Sequence, residues 1–347
     1  MKRSVCFLIA LFVLFPLAPS CNNPTGSGAA DVVQYTVSFN ANGGSDVADM
    51  KCSQITSCPV STWAGGALEG WYPNFSFIAA EKISFPLDVT SDRTLYARWI
   101  QATDGLSYAA VTGGYSVSLG TATDVAITIP AYWLGDPVVA VTDHGFDMDT
   151  LTSPPTITSV SIPETVTSIG EYAFSSCRFT SIELPSKLTS LGDWAFAYCR
   201  FLTSISVPAG VTTIGSRTFY ANDSLEGVSL PGVTSLGYNT FGYCEKLTTF
   251  SAPNLQSTGY GVFSNCTALT SFTLPASMLS IGSGAFRYCT ALATLALERS
   301  TTPLTYLDSD SLEGCAALTS IKVPSSRVAD YQGASNWSTY SGIITAQ

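Results

Sequence analysis

Residues 159–323 repeat every 22 or 23 positions, and no other feature of the chain constrains its fold as tightly. Prolines recur at Pro163, Pro185, Pro208, Pro231, Pro253 and Pro275, and the series resumes at Pro324 after one longer unit. Glycines follow in step at Gly170, Gly192, Gly215, Gly237, Gly259 and Gly282. Four residues beyond each comes Phe174, Phe196, Phe219, Phe241, Phe263 or Phe286, with Leu312 in the longer unit. Three further on stand Cys177, Cys199, Asn222, Cys244, Cys266, Cys289 and Cys315. A unit this short cannot bury its own apolar face, so the period implies coils stacked into a solenoid.

Each unit opens on an alternating run, such as Ile205 and Val207 or Phe272 and Leu274, which reads as a strand with one face inward. Proline then removes a ladder donor and ends the strand, and glycine is expected to permit a turn that other residues resist. Ile169, Leu191, Ile214, Leu236, Thr258 and Ile281 form a second inward column. The expectation is one ribbon of eight parallel strands, roughly 35 to 40 Å long at strand spacing.

The run of Leu or Phe, Thr-Ser-Ile, Leu-Pro, Thr-Ser-Leu-Gly, Ala-Phe and Cys, as in residues 179–199, resembles the BspA-like leucine-rich repeats of bacterial surface proteins. The resemblance covers 104–347, including a diverged first coil (Ile-Thr-Ile-Pro at 127–130) and a closing unit through Tyr331 and Trp337. It implies a mainly β fold, a leucine-rich-repeat solenoid of 22–23-residue coils with terminal caps. Its departures are Asn222 for Cys, Thr258 for an aliphatic residue, and an insertion at 298–303.

Residues 35–102 read as a separate module. Tyr-Thr-Val-Ser-Phe at 35–39 alternates as a strand, Asn-Ala-Asn-Gly-Gly at 40–44 is turn chemistry, and Leu-Tyr-Ala-Arg-Trp at 95–99 closes with another strand. With Gly-Trp-Tyr at 70–72 these motifs resemble the internalin-type B-repeat, a small β-grasp-like module, which implies a spacer or accessory binding unit. Trp71, Tyr72, Tyr96 and Trp99 are expected mostly in its core rather than on an exposed patch.

Residues 1–20 carry Lys2 and Arg3 ahead of an apolar run at 5–17, too short to span a bilayer, in the charge order of a secretory signal. Cys21 directly after small residues resembles a bacterial lipoprotein signal, which implies a lipid-bearing Cys21 followed by a flexible tether, 21–34. The chain is thus expected to be exported and membrane-anchored, at the cell surface or outer membrane of a bacterium. Its formal net charge of -10 lacks the basic stripe that nucleic acid requires.

An oxidising destination makes a disulfide between Cys52 and Cys58 an expectation. The repeat cysteines read instead as a buried ladder of small thiols, since stacked parallel side chains lie farther apart than a disulfide prefers. No CxxC pair or second ligand type accompanies them, so no metal and no cofactor are expected. The single histidine, His144, reads as a turn residue, and the nearby Asp143, Asp147 and Asp149 lack the glycine and terminal glutamate of a calcium loop. No phosphate-cradling loop or nucleophile elbow is present, and the chain is not expected to be an enzyme.

Two surfaces remain as candidates. Outward strand positions form a hydroxyl-rich ribbon, with Ser181, Glu183, Ser204, Ser206, Ser229, Thr249, Ser251, Ser271 and Thr273. Such a flat ribbon suits many weak contacts to a protein or glycan, although Ser and Thr are also ordinary strand-surface residues. Tyr172, Trp194, Tyr198, Tyr243 and Tyr288 recur on the turns as an aromatic edge, either for binding or for stacking between coils. The family resemblance implies adhesion or recognition of host matrix proteins, other cells or glycans, and the competing expectation is a surface-coat component without a specific ligand.

Overall fold

The computed structural model describes residues 33–61, 63, 66–150, 155–299, 308, 310–334 and 337–347. The expected signal at 1–20, Cys21 and most of its tether lie outside them. The chain divides into two compact units between Ile100 and Gln101.

The first unit is a four-stranded sheet in the order Met50–Cys52, Tyr35–Asn40, Arg93–Gln101, Gly66–Tyr72. The two central strands run parallel with Val37 opposite Arg93, and Met50–Cys52 pairs antiparallel at one edge. Alternation along Tyr35–Asn40 puts Val37 inward against Leu95, Ala97 and Trp71. Trp71 and Tyr72 are fully buried, as core residues should be, and the Trp71 indole donates to the Pro59 carbonyl at 2.9 Å. The expected disulfide is not formed: Cys52 and Cys58 are both thiols. Cys52 is fully buried in the core, Cys58 packs against the same core, and the Cys58 sulfur lies 3.6 Å from Pro59 O.

The second unit is a β-solenoid. Phe146, Phe174, Phe196, Phe219, Phe241, Phe263 and Phe286 stack ring on ring at 5.3–5.9 Å, all at most 1% exposed. Each buried ring contributes about 1.5–3 kcal/mol of transfer free energy, so this spine is the dominant apolar column. Leu312 occupies the same place in the longer unit and is buried. A hairpin, Ser107–Val111 with Gly114–Ser118, opens the array. A short helix, Val328–Gly333, closes it by burying Tyr331 against Trp337.

The single ribbon expected from the alternation is replaced by two interrupted ladders. One joins Ser204–Ser206, Gly227–Ser229 and Thr249–Ser251, and resumes as Ser271–Leu274, Thr294–Leu297, Ser320–Val323 and Ile344–Ala346. The other runs along the second apolar column, through Ser168–Ile169 and Ser190–Leu191, then Thr213–Ile214, Ser235–Leu236 and Ser257–Thr258. Residues 181–183 form no strand, yet Ile182 is still buried between exposed Ser181 and Glu183.

The column glycines serve a purpose other than the one expected. Gly192, Gly237 and Gly259 do not adopt positive φ. A Cβ on Gly192 would lie 2.5 Å from Glu171 N, and one on Gly237 would lie 2.6 Å from Gly215 C. These glycines are there so that the backbones of adjacent coils can touch.

The cysteine column is a hydrogen-bonded ladder. Each thiol donates to the carbonyl of the spine phenylalanine in the preceding coil: Cys199 to Phe174 at 3.1 Å, Cys244 to Phe219 at 3.2 Å, Cys289 to Phe263 at 3.0 Å. Asn222 fills the same place with an N–H, 3.1 Å from Phe196 O, leaving its Oδ1 buried without a partner. Burial pushes the thiol pKa values up, that of Cys244 from 9.0 to about 12 and that of Cys315 to about 11.

Candidate interaction surface

The turn between the glycine and cysteine columns contains two left-handed residues per coil. In the coil of Gly170 these are Tyr172 (φ 53°) and Ser176 (φ 60°), each the third residue of a four-residue turn closed by Ala173 N–H to Gly170 O and Cys177 N–H to Phe174 O. The left-handed form aims alternate N–H groups at the next coil: Tyr172 N to Asp193 O at 3.0 Å, Trp194 N to Ser216 O at 2.9 Å, Arg217 N to Tyr238 O at 2.7 Å. Such positions favour Gly or Asn, and Asn239, Gly261, Asn265, Gly284 and Gly314 occupy several of them. Ser176 and Ala221 fill two more with small side chains, and the remaining ones carry the bulky His144, Tyr172, Trp194, Tyr198, Arg217, Tyr243 and Tyr288. Each of these side chains costs about 1–2 kcal/mol in this backbone region.

Their planar groups form a belt along the array. His144 stacks on Tyr172 at 4.8 Å and Tyr172 on Trp194 at 5.3 Å. The Arg217 guanidinium continues the column, 4.5 Å from the Trp194 ring and 4.6 Å from the Tyr238 ring, and Tyr238 stacks on Tyr260 at 5.4 Å. Beside it, Tyr198, Tyr220 and Tyr243 meet edge to face at 5.7 and 5.5 Å, and Trp194 bridges the two rows through Tyr198 and Tyr220.

The structure thus brings four of the five expected edge residues together. Tyr288 makes no ring-to-ring contact with them; Arg287, which also bonds Tyr260, lies 5.0 Å over the Tyr288 ring, and the Tyr288 hydroxyl donates to Glu313 at 3.3 Å beside the Arg287–Glu313 ion pair of 2.9 Å. Tyr172, Trp194 and Tyr198 are half-buried by stacking, whereas Tyr238, Tyr243 and Tyr260 retain 39–42% exposure. Burial, and secondarily Glu171, raises the Tyr172 phenol pKa; burial, and secondarily Tyr243, raises that of Tyr220. His144, Arg217, Tyr220, Tyr238 and Tyr260 were not among the edge residues expected. The signal was their offset: His144 and Arg217 share the register of Tyr172 and Trp194, while Tyr238 and Tyr260 each directly follow a column glycine.

All nine ribbon residues, Ser181, Glu183, Ser204, Ser206, Ser229, Thr249, Ser251, Ser271 and Thr273, are exposed. The hydroxyls of Ser204, Ser206, Ser229 and Ser251 have no intramolecular partner among the described residues. By contrast, the flanking threonines are tied to the preceding coil, Thr189 to Thr167 O at 3.1 Å and Thr203 to Thr180 O at 3.2 Å.

The acidic residues near His144 are engaged within the fold. Asp147, nearly buried, lies 2.7 Å from His144 Nδ1; Asp143 accepts the Glu171 N–H at 2.8 Å, and Asp149 accepts from Ser176 Oγ at 2.7 Å. Among the described residues no group of three or more His, Cys, Asp or Glu is placed to hold a metal, and no helix is long and apolar enough to cross a membrane.

Comparison with known proteins places both units. The BspA-type leucine-rich repeat region matches in six copies over residues 150–254 and 222–332, and the Listeria-Bacteroides repeat domain matches 35–98. No curated protein matches the chain. Among solved structures, a leucine-rich repeat protein from Bacteroides ovatus is 23% identical with a TM-score of 0.41, covering 63% of this chain and 70% of that one. A leucine-rich cell surface protein from Faecalibacterium prausnitzii is 17% identical with a TM-score of 0.39, covering 67% and 96%. The leucine-rich repeat protein of T. pallidum is 24% identical with a TM-score of 0.34, covering 63% and 82%. With its repeat model matched over more than half its length, the chain belongs to the BspA-type leucine-rich repeat family.

Proposed function

We propose that this chain is an exported bacterial surface protein that recognises an extracellular partner through the aromatic belt of its repeat array. In this reading residues 1–20 direct export, Cys21 carries the lipid anchor, and the Listeria-Bacteroides repeat unit is a spacer or accessory binding unit. The observation that carries it is the strain. The chain places seven bulky side chains at left-handed positions where other coils use Asn, Gly, Ser or Ala, and four of these, Tyr172, Trp194, Arg217 and Tyr198, converge on one face. Backbone strain of this kind persists where the side chain it presents has a use. Half-exposed tyrosines and an arginine are also the side chains that dominate binding energy at interfaces.

The test is binding of the full-length chain to immobilised matrix proteins and glycans beside two variants. One changes Tyr238, Tyr243 and Tyr260 to Ala; the other changes Ser204, Ser206, Ser229 and Ser251 to Lys. Saturable binding lost in the first and kept in the second supports the belt. The reverse pattern moves recognition to the hydroxyl ribbon. Self-association without any saturable partner supports a surface-coat role, in which ring stacking serves cohesion alone.

A further inference from the structure

We propose that the part of the belt centred on Arg217 binds a saccharide bearing a single carboxylate on an otherwise neutral glycan. This rests on the recognition reading above and names its ligand class. The Arg217 guanidinium is held between the Trp194 and Tyr238 rings at 4.5 and 4.6 Å, with Tyr220 at 5.6 Å. Stacking on both faces fixes the plane of the cation and leaves its N–H edge as the part available to a ligand.

That edge is not neutralised by the protein. Arg98, Arg200, Arg287 and Arg327 each have a carboxylate at 2.7–3.4 Å. Arg217 has none among the described residues; Arg93 and Arg178 also lack one, but of the three Arg217 is the one held between two rings. Its one side-chain hydrogen bond is a long one, 3.4 Å from Nη2 to the Tyr238 hydroxyl, and its Nε is buried without a partner. A chain with 25 acidic and 15 basic residues has carboxylates to spare, so leaving this fork open in a fixed orientation is an arrangement for an incoming anion. A carboxylate fits it in bidentate fashion.

The surroundings select the rest of the ligand. Tyr238, Tyr243 and Tyr260 are 39–42% exposed and offer aromatic surface with phenol hydroxyls, matching the mixture of apolar C–H surface and hydroxyls on a pyranose. These rings pack on one another rather than wall a pocket, so the apolar anchor of a peptide has nowhere to insert. The net charge of -10 repels a polyanion at a distance, which favours one carboxylate among neutral sugars over an acidic polymer.

The experiment is a ligand-observed NMR titration of the full chain with sialyllactose, lactose and a glutamate-rich peptide. Sialyllactose should bind about tenfold or more tighter than lactose, the value of one charge-assisted bidentate contact. Arg217→Gln should abolish that preference, bringing sialyllactose down to the affinity that the same variant shows for lactose. Arg217→Lys keeps the charge but not the planar fork, and should lose most of the preference as well. Tyr243→Ala should weaken both sugars alike. Equal affinities for the two sugars, no saturable sialyllactose binding, or a preference that survives both Arg217 substitutions overturns the proposal. Arg217-dependent binding of the peptide without the sugars also overturns it, while leaving the recognition reading intact. Loss of every belt-dependent interaction removes both.

Discussion

Asn222 stands where six other coils place a thiol, and replacing it by cysteine should stabilise the protein. The amide makes one hydrogen bond, Nδ2 to Phe196 O at 3.1 Å, and leaves Oδ1 buried without a partner in a site with no exposure. An orphaned buried acceptor costs about 1–3 kcal/mol, and the hydrogen bond lost on substitution is worth about 1 kcal/mol net. The incoming thiol recovers part of that through Phe196 O, as Cys199 does at Phe174 O at 3.1 Å and Cys244 at Phe219 O at 3.2 Å. The balance is a gain of about 1–2 kcal/mol, equivalent to a rise of about 0.5 M in the urea midpoint at the usual slopes. Urea denaturation followed by circular dichroism reads the midpoint. Amide exchange at Phe219 and Ala221 reads the effect locally, since each coil is stabilised chiefly by its neighbours. Asn222→Ala is the control: it removes the orphan but also the donor, and should fall below Asn222→Cys. A lower midpoint for Asn222→Cys than for wild type, or no difference between the two variants, would refute the idea that the column is a donor ladder.

Gly237→Ala puts a methyl group 2.6 Å from Gly215 C and 2.7 Å from Ser216 N, backbone atoms with no rotamer to yield, and should cost about 1–3 kcal/mol. Gly333→Ala, with nothing within 4 Å, should leave the melting temperature within a degree or two by the usual scale of surface changes. Ile214→Ala opens a cavity at a position 2% exposed and should cost about 2–5 kcal/mol; an unchanged melting curve would mean that its column is not part of the core. Stability should fall as pH rises above 9. The buried thiols keep their protons when folded and release them on unfolding, so the unfolded state binds fewer protons between pH 9.0 and about 12, the range set by Cys244. A urea midpoint flat across that interval contradicts the burial of the ladder.

The repeat period, the phenylalanine spine and the strand alternation were legible because each follows from side-chain type at a fixed offset. What could not be read was geometry that depends on the adjacent coil. The column glycines look like turn residues in sequence, yet they mark the places where Glu171 N and Gly215 C press against the next coil. The left-handed positions were hidden for the opposite reason: Tyr172, Trp194 and Arg217 are not residues that announce positive φ, and only the hydrogen bonds to Asp193, Ser216 and Tyr238 explain why they adopt it. Arg217 was missed as part of the aromatic row because a guanidinium is not a ring, although it stacks like one. Cys52 and Cys58 are close in sequence, but closeness alone does not decide whether two thiols are joined.

The thiol ladder also bears on how such an array changes length over generations. Every column donor is answered by the same acceptor, the phenylalanine carbonyl one coil back. Duplicating or excising one whole coil therefore hands each thiol an equivalent carbonyl, so this ladder is preserved. Gene-level gain or loss of a repeat is then nearly neutral for folding, while it lengthens or shortens the belt by one rung, so the reach of the surface can be selected separately from the stability of the scaffold.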